Sequence, residues 1–314
     1  MHKGKAKSSQ LIIFDDGTLY HIDLKKSDNI PHNLLLVGAA DRVDLISSHF
    51  DEIKFKHQNK ARPEFYTVTG TYKGVPIGAM SIGIGTGPMD IAITELHALF
   101  EYDHILDSWT KDIPKVNMVR VGTCGTSLPE VPAGSFAISE YAIGLDNLSA
   151  YYPLPFRYSS VAIERKFLET PIGKINPLSY CAKSNPSVVK ALVKSAGQFG
   201  DMDQNFFRGI TTASPGFFGP EGRQIGRIKT SFGPKEFRDI IQSFTVDNLK
   251  IINHEMETSV LFRLGYEHLN YNVGAICLVV DNLETDEVIT GDEASKKMSE
   301  CIKIALDALV ILSK

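Results

Sequence analysis

The chain has 314 residues, of which 43% are hydrophobic and 22% charged, close to the averages for globular proteins. Lys and Arg number 33 and Asp and Glu 37, which gives a net charge of −4 and disfavours nucleic-acid binders and proteins held on anionic lipid. No run approaches the roughly 18 apolar residues of a membrane span, and no apolar signal-peptide region follows the basic start MHKGKAKSSQ. We expect a cytoplasmic protein that binds neither membranes nor nucleic acid.

The cysteines fit a reducing compartment. The four of them are far apart and form no CxxC pair, and a chain of this length can bury a core without disulfides. No cluster of metal-ligand residues appears, so no metal site is predicted. Residues 1–10 are predicted to be a disordered tail, and residues 11–314 to be one domain.

Apolar runs alternate with amphipathic segments along the chain. Strands are predicted over 33–40, 117–125, 134–144, 249–258 and 273–283, with a hairpin over 65–85 that turns at Lys73-Gly74. Helices are predicted over 41–51, 86–102, 258–269 and 292–314. Strands that alternate with helices indicate an α/β fold with a mostly parallel or mixed sheet.

The segment 151–186 differs from its surroundings. It holds five prolines and little periodicity, and it lacks the Gly/Ser or acidic composition of a flexible tether. We interpret it as an ordered insertion or a lid.

Three predicted strands end in glycine-bearing turns. Gly38 is followed by Arg42, residues 83–87 read GIGTG, and residues 120–125 read RVGTCG. Backbone N–H groups at such turns and at helix N-termini bind anions, and arginine adds forked donors for phosphate. A dinucleotide-binding fold is disfavoured, because Pro88 stands at the third glycine of its fingerprint and a helix occupies the stretch where its acidic residue would lie.

An acidic motif, NHEMET at 253–258, lies where a strand meets a helix. A glutamate can accept two hydrogen bonds from a vicinal diol while a neighbouring methionine packs on the apolar face of a sugar. The alternative is a solvated helix start, in which glutamate complements the helix dipole.

Taken together, the motifs make this sequence resemble the nucleoside phosphorylase-I family, most closely its uridine phosphorylase branch. The resemblance spans about residues 19–312, apart from the 151–186 segment. The motifs that carry it are YHIDL at 20–24, VGAADRV at 37–43, GIGTGP at 83–88, RVGTCG at 120–125 and NHEME at 253–257. The resemblance implies a single α/β domain with a mixed, partly barrel-like central sheet flanked by helices. It also implies a homo-oligomer, a dimer or a hexamer, with shared active sites.

The reaction that the resemblance implies is phosphorolysis, in which inorganic phosphate attacks the anomeric carbon of a nucleoside and gives free base and ribose 1-phosphate. Phosphate is then a co-substrate, and no cofactor is expected. The implied phosphate-binding residues are Gly38, Arg42, Arg120, Thr123 and, from a neighbouring subunit, Arg62. The implied ribose-binding residues are Glu255, Met256, Glu257 and, also across a subunit boundary, His21. For Arg62 and His21 a plain surface role is the alternative.

The base pocket departs from the family pattern. Uridine phosphorylases carry F-x-x-x-Q-x-R, whereas this chain has Phe217, Glu221 and Arg223 in that spacing. Glutamine offers a donor and an acceptor to uracil, but an ionised glutamate only accepts. Either Glu221 is protonated, or Gln224 replaces it, or the preferred base is not uracil.

A second departure is Asp281, where the uridine branch commonly has asparagine. In the purine branch an aspartate acts as the acid toward the purine N7, and burial after an apolar strand could prepare Asp281 for that role. The alternative is a strand-end cap. We predict a pentosyltransferase that uses Arg120, Glu257 and Asp281 in catalysis, with uridine favoured over purine nucleosides. A nucleoside hydrolase and a non-catalytic nucleoside-binding protein are further alternatives.

Overall fold

The computed structural model describes residues 9–154 and 158–314. Its strands are β1 (Asn33–Val37), β2 (Glu52–Gln58), β3 (Tyr66–Tyr72), β4 (Val75–Ser81), β5 (Tyr102–Asp103), β6 (Ser108–Trp109), β7 (Asn117–Thr126), β8 (Phe136–Gly144), β9 (Tyr180–Lys183), β10 (Phe206–Ala213), β11 (Thr245–Val246), β12 (Leu249–Glu255), β13 (Asn272–Asn282) and β14 (Glu287–Val288). The tail predicted over 1–10 falls largely on residues 1–8, which lie outside the described residues.

The helices flank the sheet. They are α1 (Ala40–Ser47), α2 (Thr86–Glu101), α3 (Tyr158–Leu168), α4 (Pro171–Ile175), α5 (Pro186–Ala196), α6 (Met202–Asn205), α7 (Pro234–Ser243), α8 (Thr258–Val260) and α9 (Gly291–Leu312). A π-helical stretch, Leu261–His268, continues α8, and short 3-10 turns lie at Lys26–Asp28, Leu148–Tyr151 and Gly219–Glu221. In the described part of the chain, no helix is long and apolar enough to cross a membrane.

Five strands close into a barrel. β7, β13, β8, β10 and β12 pair in that order, and a bridge between His254 on β12 and Gly125 on β7 completes the ring. The β13–β8 and β12–β7 pairings are antiparallel and the other three are parallel. The expected single α/β domain with a mixed, partly barrel-like sheet flanked by helices is confirmed.

The sheet continues from β7 through β1, β4, β3 and β2. β3 and β4 form the predicted hairpin, and both turn residues, Lys73 and Gly74, have positive φ (51° and 75°), as a tight two-residue hairpin turn requires. Successive side chains of a strand point to opposite sides of the sheet, and those of β1 are buried on both sides. Leu35 packs in the core under α9, and Leu34 and Leu36 pack in the core under α2.

The segment 151–186 contributes α3, α4 and β9. β9 pairs antiparallel with β8, and Ile163 and Phe167 of α3 share a buried cluster with Phe237 of α7. This packing ties the described part of the segment to the domain. Its interpretation as an insertion or a lid stays a prediction.

Candidate active site

A cavity of about 290 Å³ opens where β1, β7, β12 and β13 end. The carboxyl ends of parallel strands are the usual location of ligand sites in such sheets, because loop residues from several strands converge there. The cavity is lined by ten residues that the sequence analysis assigned to the site: Gly38, Arg42, Arg120, Thr123, Phe217, Glu221, Glu255, Met256, Glu257 and Asp281. Its other lining residues are Ala39, Ile84, Cys124, Gly125, His254 and Val280.

Arg120 lines this cavity and is buried, with a relative exposure of 6%. Its Nη2 donates to the carboxylate of Glu257, and its Nη1 lies 3.1 Å from Oε2 of Glu255. Burial alone would lower the pKa of Arg120, but the two carboxylates raise it, so the guanidinium stays charged. Gly122 is required beside it, because a Cβ there would overlap the guanidinium.

The two glutamates of the acidic motif have different partners. Glu255 accepts hydrogen bonds from the backbone N–H groups of Glu257 and Thr258, each at 3.0 Å, just before the helix that begins at Thr258. Burial raises the pKa of Glu255, although Arg120 opposes the shift. Oε1 of Glu257 accepts a 2.6 Å hydrogen bond from the N–H of Gly85, whose φ is 101°. The glycine turn at 83–87 therefore holds a protein carboxylate.

Arg42 differs from Arg120 in having few partners. Its Nη1 donates to the carbonyl of Val121 at 3.2 Å, and no carboxylate of the described residues forms an ion pair with it. Burial and the nearby charge of Arg120 lower the pKa of Arg42. Two neighbouring cations, of which Arg42 forms no ion pair within the described residues, make the cavity suitable for an anion.

Arg223 lies between two carboxyl groups that line the cavity. Its Nε donates to Oε2 of Glu221 at 3.0 Å and its Nη2 to Oδ2 of Asp281 at 2.8 Å, while its guanidinium lies 4.2 Å from the ring centroid of Phe217. Burial raises the pKa of Glu221 to about 7, although Arg223 opposes the shift. Glu221 can therefore exist in either protonation state at neutral pH.

Four residues predicted for the site, Arg223 among them, do not line the cavity of their own chain. Arg223 contacts two residues that do, Glu221 and Asp281. Gln224 is exposed. His21 and Arg62 lie together elsewhere: His21 Nδ1 is 2.5 Å from Oε1 of Glu95, and the Arg62 guanidinium covers the ring of Tyr20 at 4.2 Å. The assignment of His21 and Arg62 to a neighbouring subunit's site stays a prediction.

The sequence analysis missed His254, which stands inside the acidic motif but received no role. Its side chain is 2% exposed and lines the cavity, with Nε2 3.8 Å from Oε2 of Glu221. Burial, reinforced by the charge of Arg223, lowers the pKa of His254 to about 3, so the ring is neutral. It also missed Cys277, whose Sγ accepts a hydrogen bond from Arg120 Nη1 at 3.1 Å.

Comparisons with known proteins show the family to which the chain belongs. A family model described as the phosphorylase superfamily matches residues 34–310. The uridine phosphorylase of Thermococcus kodakarensis is 29% identical over 293 residues, which cover 92% of this chain and 87% of the relative. A purine nucleoside phosphorylase of the DeoD type from Shewanella loihica is 24% identical over 246 residues, which cover 78% of this chain and 79% of the relative.

A solved structure gives the same result. It is a nucleoside phosphorylase from Trypanosoma brucei, described as showing uridine phosphorylase activity. It superposes with a TM-score of 0.86 at 30% sequence identity, and the match covers 96% of this chain and 99% of the chain in that structure. The chain therefore belongs to the phosphorylase superfamily, and within it to the nucleoside phosphorylases, which are pentosyltransferases.

Proposed function

We propose that this protein cleaves uridine by phosphorolysis, giving uracil and ribose 1-phosphate. The observation that carries the proposal is the set of charged groups that line one cavity. Arg42 and Arg120, which are close enough to interact electrostatically, would bind phosphate, and Glu257, which is bonded to Arg120, would bind the ribose diol. Glu221, which Arg223 holds, would offer an acceptor to the base.

The cavity residues suit each demand of that reaction. Phosphate held by Arg42 and Arg120 attacks C1′ of the ribose, and the bond from C1′ to the base breaks with its electron pair going to the base. Positive charge that develops on the sugar is stabilised by the phosphate anion beside it, and preorganised groups of this kind are often the largest catalytic contribution. Glu257 would accept hydrogen bonds from the 2′ and 3′ hydroxyls while Met256 packs on the sugar.

Uracil as the base is supported by the two relatives whose names or titles give uridine phosphorylase activity. The second candidate is a purine nucleoside. It is favoured by Asp281, whose Oδ1 faces the space beside Gly125 inside the cavity, and by the purine nucleoside phosphorylase among the relatives. In that case Asp281 would protonate the departing purine.

The proposal includes a homo-oligomer in which His21 and Arg62 complete the site of a neighbouring subunit, His21 at the 5′ hydroxyl and Arg62 at the phosphate. It requires phosphate as co-substrate and no cofactor. A cytoplasmic location is part of the same proposal and is supported by four buried cysteines that are all free thiols.

Product analysis tests this function. The protein is incubated with uridine or with inosine, each with phosphate, and the products are separated by chromatography. The expected products are uracil and ribose 1-phosphate from uridine. Cleavage of inosine alone would assign the purine reaction, release of free ribose would indicate a hydrolase, and no cleavage of either would indicate a binding protein.

A further inference from the structure

His254 is a polar side chain of the cavity whose chemistry the proposed function does not use. Its ring is 2% exposed, and neither ring nitrogen has a hydrogen-bond partner among residues 9–154 and 158–314. A buried polar group without a partner typically costs about 1–3 kcal/mol. Because the ring lines the ligand cavity, a bound ligand is the natural partner for it.

The backbone at Gly125 determines what His254 faces. A Cβ at this position would overlap Nε2 of His254 and lie 2.9 Å from Oδ1 of Asp281. Glycine therefore leaves room for the His254 ring and allows Nε2 of His254 and Oδ1 of Asp281 to lie close to the same backbone position. Oε2 of Glu221 lies 3.8 Å from Nε2 of His254, too far for a hydrogen bond. Nε2 consequently keeps its hydrogen-bonding capacity for a base bound in the cavity.

The hydrogen-bonding capacities of these groups are complementary. A carboxylate only accepts hydrogen bonds, whereas the N–H of a neutral imidazole donates one. One oxygen of Glu221 is taken by Arg223, which leaves the other for a ligand. No hydrogen bond in the described chain fixes the tautomer of His254, so Nε2 can carry the proton. Glu221 and His254 together then offer the acceptor and the donor that a single glutamine amide would offer.

We propose, resting on the proposed function, that His254 is a base-recognition residue whose Nε2–H donates to a carbonyl of the base while Glu221 accepts the adjacent ring N–H. The pair fits bases in which a ring N–H stands beside a carbonyl, as in uracil and hypoxanthine. Cytosine and adenine present a bare ring nitrogen beside an amino group, the reverse pattern, and would leave both protein groups unpaired. The substrate class is thus oxo-base nucleosides, whether pyrimidine or purine.

A double-mutant cycle tests this inference with His254→Phe, Glu221→Gln and the combined variant. His254→Phe keeps a ring of similar size against Phe237, whose ring packs edge-on to it at 5.6 Å, and removes the donor. We expect kcat/KM for uridine to fall about 10- to 100-fold, as the loss of one hydrogen bond to a group that becomes charged predicts. In the combined variant the glutamine amide introduced at position 221 would supply both donor and acceptor, so activity should return to within about threefold of Glu221→Gln alone.

A purely structural role of His254 would not produce this rescue, because a glutamine at position 221 cannot repair a packing defect. Thermal unfolding of each variant checks the fold, and His254→Phe should unfold at or above the wild-type temperature because two unpaired nitrogens are removed. Equal activity of His254→Phe and wild type, or a combined variant no better than His254→Phe, would overturn the inference.

A second measurement needs no variant. Wild-type protein is assayed with cytidine and with uridine, and kcat/KM for cytidine should be lower by at least about 1000-fold, because sites built to hydrogen-bond a group strongly reject analogues that lack it. Comparable use of cytidine would contradict the pairing. If wild type cleaves inosine and not uridine, the cycle is run on inosine, which has the same edge. If the wild-type protein cleaves neither nucleoside, the proposed function and this inference are both wrong. If the wild-type protein is active and His254→Phe is equally active, only this inference is wrong.

Discussion

The guanidinium of Arg120 is hydrogen-bonded to the carboxylate of Glu257, and this buried ion pair lines the cavity. The other oxygen of Glu257 is held by the N–H of Gly85. A carboxylate fixed from two directions is oriented before a ligand arrives, which lowers the cost of ordering it on binding.

Substitution of Arg42 tests the anion end of the cavity. We expect Arg42→Ala to raise KM for phosphate at least about tenfold, since charge-assisted hydrogen bonds contribute about 1.5–3 kcal/mol each. The control is Arg208→Ala, which removes a half-exposed arginine paired with Glu140 and should leave the kinetics unchanged. Steady-state kinetics with varied phosphate make the measurement. An unchanged KM for phosphate in Arg42→Ala would remove this arginine from the phosphate site.

Substitution of Arg120 tests the central ion pair through stability as well as activity. Arg120→Ala should abolish phosphorolysis and lower the free energy of unfolding by about 3–5 kcal/mol, because Glu255 and Glu257 would remain buried without a counter-charge. Adding Glu257→Gln should recover part of the stability and none of the activity. Urea unfolding of the three proteins is the measurement, and an unfolding midpoint of Arg120→Ala equal to wild type would contradict the electrostatic account.

Glu257→Gln tests the proposed contact with the ribose diol. We expect kcat/KM for uridine to fall about 10- to 100-fold, since a neutral amide is a weaker acceptor for the two hydroxyls. With 2′,3′-dideoxyuridine, which has no diol, wild type and variant should differ much less. The same loss on both substrates would show that Glu257 acts through Arg120 and not through the hydroxyls.

The buried carboxyl of Glu221 predicts a pH-dependent stability difference. Its pKa is raised from 4.5 to about 7, so the folded protein holds the proton more tightly than the unfolded chain does. Its contribution to stability is fully present below about pH 4.5 and is lost as pH rises through about 7, by about 3 kcal/mol at most. Glu221→Gln has no titrating group at this position, so its stability does not include this pH-dependent loss. Urea unfolding at pH 5 and pH 8 should therefore show that the free energy of unfolding falls less in the variant than in wild type as pH rises. The same fall in both proteins would refute the shifted pKa.

Local patterns in the sequence were enough to predict much of this fold and site. The run of leucines in β1 has no polar interruption because both faces of that strand are buried. The hairpin turn at Lys73-Gly74 was predictable because positive φ favours glycine and a few other residues. Arg42 and Glu257 follow the ends of β1 and β12, and Arg120 lies on β7, which pairs with both of these strands, so the three residues meet at one cavity.

Other features depend on contacts between distant segments and could not be predicted locally. β10 was missed because its buried threonines look polar, yet Thr211 lies inside the barrel, hydrogen-bonded to Ser139 at 2.6 Å and to Asn253 at 2.7 Å. His254 was passed over because its neighbours Gly125 and Glu221 come from remote parts of the chain. The 83–87 turn was correctly recognised as a source of N–H donors, but nothing local identifies Glu257 as their acceptor.

Dependence on phosphate is the most direct test of the central claim that Arg42 and Arg120 bind the attacking anion. Base release from uridine and from inosine is followed with wild-type protein while phosphate is varied from none to saturation. We predict no release without phosphate and a saturable rise as phosphate is added, with uridine as the better substrate. Release of base at the same rate with and without phosphate would contradict the account and assign the cavity to a hydrolase.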